Sequence, residues 1–156
     1  MEVPFSKTLM IEAIWWVITA ILVVLVLFPI YEAVPDYPFW GINILAIVVF
    51  ITATRYIFLL KYTPIIRWQI VKAIIVILCV PLIFNMVNNI NHFQTYIDEQ
   101  GILSFLGHLR PDRLDQIEKY MKAEMILFGV GSVIASIVLP VRLIMSIWKV
   151  RNKNTV

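Results

Sequence analysis

Long apolar runs separated by short polar joints dominate this chain. Four runs, residues 9–30, 39–60, 69–87 and 125–148, carry scarcely any charge, and each matches the roughly 20 residues that a helix needs to cross a bilayer core of about 30 Å. The pattern predicts an all-α polytopic membrane protein of four transmembrane helices. The first run outlasts the apolar stretch of a signal peptide, and "YEAVPDYP" follows it in place of a small-residue cleavage site, so it reads as a retained helix.

The joints differ in length. Spans 1 and 2 meet through "FPIYEAVPDYPFW", where three prolines and an aromatic cluster predict a stiff hairpin with Tyr31, Tyr37 and Trp40 at headgroup depth. Spans 2 and 3 meet through "KYTPIIRWQ", too short for a domain, with Tyr62 and Trp68 as the matching aromatic belt. Between spans 3 and 4, residues 88–124 continue both helices beyond the apolar zone. Ile90, Phe93 and Ile97 prolong one apolar stripe, Gly101 supplies a C-terminal stop, and Pro111 with Asp112 starts the return. Leu114, Ile117 and Met121 carry the second stripe into Met125 and Phe128. An antiparallel extracytoplasmic helical hairpin is expected, projecting roughly 18 Å for a dozen residues. At its tip, "GILSFLGHL" places Ile102, Phe105, Leu106 and Leu109 on one face of a short amphipathic helix.

Composition agrees with this pattern. The 156 residues are 61% hydrophobic and 15% charged, with a mean hydropathy of +0.88, which fits a single membrane domain spanning residues 1–156. The net charge of +3 and pI near 9.1 raise nucleic acid as a partner, but the bases flank apolar runs. Lys61 and Arg67, then Lys149, Arg151 and Lys153, occupy joints without acids, whereas Glu32 and Asp36 occupy a joint without bases. The excess of Lys and Arg on cytoplasmic loops then places both termini in the cytoplasm and residues 88–124 outside. Very short joints suit a bacterial inner membrane.

Charge inside apolar runs marks functional candidates. Glu12, Arg55, Lys72 and Arg142 come from four spans and fall in one layer near the cytoplasmic face. Long bases such as Lys72 can snorkel to the interface. Glu12 cannot, so a pair with Arg55 or Arg142 is expected, and a proton-carrying Glu12 is the transport-like alternative. Near the opposite face, Asn85, Asn88 and Asn89 share one helix side and are expected to bond across helices. In span 4, Gly131 with Ala135 and Ser132 with Ser136 repeat small residues every four positions, a face for close helix packing.

The segment "GHLRPDRLDQIEKYMKAE" holds most of the remaining charge. Asp115 with Lys119 and Glu118 with Lys122 are acid-to-base pairs at i, i+4, each stabilising a helix by about 0.2–0.5 kcal/mol. Arg110 and Arg113 sit instead at a helix start, where the macrodipole disfavours cations. With Phe105 and Leu109, they are candidates for binding a partner's acidic surface or anionic headgroups. Lone Cys79 forms no disulfide within the chain, and His92 and His108 lack the spacing of a metal site. No phosphate-binding loop, zinc-protease motif or nucleophile elbow occurs, so neither a cofactor nor an enzyme is expected. The leading expectation is a non-catalytic accessory or assembly subunit of a larger membrane complex, contacting lipid and other membrane subunits, with a second copy of the chain as a further candidate partner. A small transporter or channel is the first alternative, and a lipid-modifying enzyme at the membrane surface the weaker one.

Overall fold

A computed structural model describes residues 4–101 and 103–153. Those residues form six α-helices: α1 (Phe5–Ala33), α2 (Trp40–Leu59), α3 (Gln69–Gln100), α4 (Leu103–Leu106), α5 (Pro111–Glu124) and α6 (Gly131–Lys153). Two 3₁₀ turns, Leu60–Tyr62 and Pro64–Arg67, join α2 to α3, and a π-helical segment, Met125–Val130, fuses α5 to α6. Four helical stretches are long and apolar enough to cross a membrane, the last running from Pro111 to Asn152 through the π segment.

Local chemistry sets the ends. Gly101 closes α3 with φ of 72°, a left-handed conformation that glycine adopts without a Cβ clash. Pro111 opens α5 at a first-turn position, where its missing N–H removes no bond. Pro29, Pro81 and Pro140 lie inside α1, α3 and α6 without ending them.

α6 is the central helix: it packs on α2 along one side and on α3 along the other, while α2 and α3 barely meet. Its contact face is the small-residue stripe, with Ser132, Ala135 and Ser136 all buried. Gly131 lies so close to α2 that a Cβ there would fall 2.8 Å from the Phe50 ring. One apolar core gathers Ala53, Tyr56, Cys79, Ala135, Leu139 and Leu143 at the end holding the 3₁₀ turns. A second, at the opposite end, gathers Ile30, Tyr37, Phe39, Ile47, Phe93, Leu106 and Met121.

The segment between the last two spans holds more contacts than its own two helices supply. Residues 88–124 do not form a simple antiparallel pair, because α5 leans on α1. The Tyr120 hydroxyl donates to the Val26 carbonyl at 2.7 Å, and Arg113 reaches Glu32 at 2.9 Å. A crevice of about 250 Å³, lined by Ile90, Phe93, Gln94, Ile97, Lys122 and Met125 among others, separates α3 from α5. The cause is the α1–α2 link, which fills the space beneath the tip. Tyr37 is buried with Phe39, and its ring stands edge-on to Trp40 at 5.5 Å and against Phe105 at 6.0 Å. His108 donates to the Ala33 carbonyl at 3.0 Å and ties the tip down onto that link.

Candidate functional site

Polar side chains collect at the two ends of the bundle. At the end holding the 3₁₀ turns, α1 contributes Glu12 and α2 contributes Arg55 and Tyr56. Glu12 Oε1 accepts from Arg55 Nη2, from the Tyr56 hydroxyl at 3.0 Å and from Trp16 Nε1 at 3.2 Å. The Arg55 side chain is 5% exposed and that of Glu12 16%. The guanidinium also stacks over the Tyr56 ring at 4.6 Å, a contact that stabilises a partly desolvated cation. Arg55 Nε has no hydrogen-bond partner. Arg142 is therefore not the partner of Glu12. Its Nε donates to the Ile57 carbonyl at 3.1 Å, one of the terminal α2 carbonyls whose helical donors are lost where α2 tightens into a 3₁₀ turn.

Lys72 departs from the snorkelling expectation. It is fully buried, and its Nζ donates to Gln69 Oε1 at 3.1 Å and to Ser146 Oγ at 3.0 Å. Facing acceptors on α3 and α6 hold the ammonium inward, so it has no need to reach the surface.

At the opposite end, Glu124, the last residue of α5, is 4% exposed, and Asn43 of α2 is fully buried. Asn43 Nδ2 donates to Glu124 Oε2 at 2.7 Å and makes a longer contact with the Tyr37 hydroxyl at 3.4 Å. Asn43 Oδ1 and Glu124 Oε1 have no partner. The ion pairs found among the described residues leave Glu124 without a cation, since the neighbouring Lys119 and Lys122 are bonded to Asp115 and Glu118. Burial raises the Tyr37 phenol, which stays neutral. The cluster lies directly before the π segment, a helix form concentrated at functional sites.

Neither Glu124 nor Asn43 stands out among the sequence candidates. The available signal is that Glu124 has Tyr120 four residues before it and Phe128 four residues after, so the pairing that accounts for Asp115 and Glu118 fails for it.

The other candidates are dispersed. Asn89 donates to Asn85 along α3 at 2.7 Å instead of across helices, and Asn85 and Asn88 are exposed. Arg113 is engaged by Glu32, while Arg110 is exposed at the start of α5. Phe105 and Leu109 pack against the core beneath the tip. Ile102 lies outside the described residues. Ser132 Oγ donates to the Gly129 carbonyl at 2.7 Å, whereas Ser136 Oγ is buried without a partner beside a cleft of about 240 Å³ that Thr52, Tyr56 and Cys79 also line. A second lateral cleft, of about 500 Å³, separates α1 from α2 and is lined by Val23, Val24, Leu27, Phe28, Tyr31, Trp40 and Ile44. Among the described residues, no three His, Cys, Asp or Glu side chains come together as a metal site.

Compared with known proteins, the chain matches no family, no curated protein and no solved structure.

Proposed function

We propose that this chain is a non-catalytic accessory or assembly subunit of a larger membrane protein complex, embedded by its four apolar helices in a bacterial inner membrane. Both termini and the 3₁₀ joint with Lys61 and Arg67 face the cytoplasm, and α4 with α5 faces outward. The partners are other membrane subunits.

The lateral cleft between α1 and α2 is the observation that carries this reading. Aliphatic and aromatic side chains line it, and large side chains along α1, including Val24 at 62% and Phe28 at 56% exposure, stand open beside it. Helices associate in lipid through van der Waals fit, and a cleft of this size leaves its lining without packing partners on one side. A neighbouring apolar helix supplies them.

A photo-crosslinking amino acid placed at Val24 in cells tests the proposal. The expected product is a crosslink to one membrane protein that also copurifies with the unmodified chain in mild detergent. Lipid adducts alone, together with a monodisperse, partner-free chain, would remove the subunit reading.

A further inference from the structure

We infer that Glu124 is a proton-binding site: its buried carboxyl, bonded to Asn43 across the α2–α5 contact, takes a proton from water and holds it in the folded chain at neutral pH. Three observations converge on this. Glu124 and Asn43 are 4% and 0% exposed, so the carboxylate charge would be stripped of water. No cation bonds it. Glu124 Oε1 and Asn43 Oδ1 are both acceptors without a donor.

Protonation removes the buried charge and the need for a cation, and it supplies one hydrogen to a pair of groups that holds two acceptors without donors. The O–H bond forms on the carboxyl, the proton comes from hydronium, and the buried charge disappears. The 2.7 Å contact with Asn43 is then satisfied in either amide orientation: the amide N–H donates to the carboxyl carbonyl, or the carboxyl O–H donates to the amide oxygen. The groups around Glu124 do not replace the proton. α2 presents Asn43, the α1–α2 link presents the neutral Tyr37 phenol, and α5 itself presents Tyr120, whose hydroxyl is committed to the Val26 carbonyl of α1. α3 brings Phe93 to the same core, with His92 edge-on to Phe39 at 5.5 Å. The nearest acid of α1, Glu32, is bonded to Arg113. Loading of this site secures α5 to α2, whether or not a partner fills the α1–α2 cleft.

The sign of the pH dependence follows from linkage. A folded chain that keeps a proton the unfolded chain releases loses stability as pH rises above the ordinary carboxylate range. Infrared spectra of the full chain in detergent, with isotope-labelled glutamate, should show a protonated-carboxyl stretch at neutral pH. Glu124→Gln should remove that band and flatten the fall of the thermal midpoint with pH, and changing sodium concentration at fixed pH should shift nothing. If Glu124→Gln does not fold, the labelled band and the pH-dependent midpoint of the unmodified chain still decide. Carboxylate bands alone at neutral pH would overturn the inference, and so would a midpoint that follows sodium instead of pH.

Discussion

Glu12 serves three donors with one oxygen, and that concentration decides how its removal acts. Arg55 stays buried when Glu12 is truncated, and a buried charge left alone costs about 3–5 kcal/mol. Glu12→Ala should therefore lower thermal stability in detergent strongly, whereas Glu12→Met combined with Arg55→Met should recover most of the loss; additive losses in the double variant would show that the pair does not act as a unit. The sequence marked Glu12 because a short acid cannot reach the interface from inside an apolar run. It left Arg55 and Arg142 equal, since both fall at the same depth. Geometry separates them: Arg142 meets an open carbonyl at the end of α2 and spends its donor there. Glu124 stayed hidden because counting charges along one helix sees pairs at i, i+4 and misses a neutral amide 81 residues away. The inward hold on Lys72 is hidden for a related reason, because its acceptor Ser146 comes from another helix.

Among the elements, α6 depends most on the absence of side chains. Its approach to α2 leaves little room at Gly131, where the Phe50 ring lies 2.8 Å from where a Cβ would stand and is also edge-on to Phe128 at 5.7 Å. Gly131→Leu should push Phe50 aside and separate α6 from α2, at about 1–3 kcal/mol; a thermal midpoint equal to that of the unmodified chain would mean that the two helices do not rely on this contact. The repeat of small residues predicted this face, and Gly101 and Pro111 predicted where α3 stops and α5 begins, because each rests on local backbone chemistry. The docking of α5 on α1 was not legible. It rests on Tyr120 meeting the Val26 carbonyl and Arg113 meeting Glu32, contacts between residues 94 and 81 positions apart. The π segment was equally silent, as its residues "MILFGV" read as an ordinary apolar turn.

Across the whole molecule, charge divides by end. Lys61 and Arg67 lie in the joint beside the start of α1, as the Arg67 guanidinium over the Phe5 ring at 5.5 Å shows, and α6 ends on the basic residues Lys149 and Arg151. The opposite end carries Glu32, Asp36 and Asp98 with the balanced charges of α5. The positive-inside rule expects the end rich in unbalanced bases on the cytoplasmic side, and single cysteines can read the orientation once buried Cys79 is replaced by alanine. Asp98 and Lys149 are both exposed, and substitution at either leaves the two cores intact. A membrane-impermeant thiol reagent added to intact cells should label Asp98→Cys directly and Lys149→Cys only after the membrane is permeabilised. The reverse result would turn the molecule over and place Glu124 on the cytoplasmic side, where its proton would equilibrate with the cell interior; labelling of both without permeabilisation would argue against four crossings.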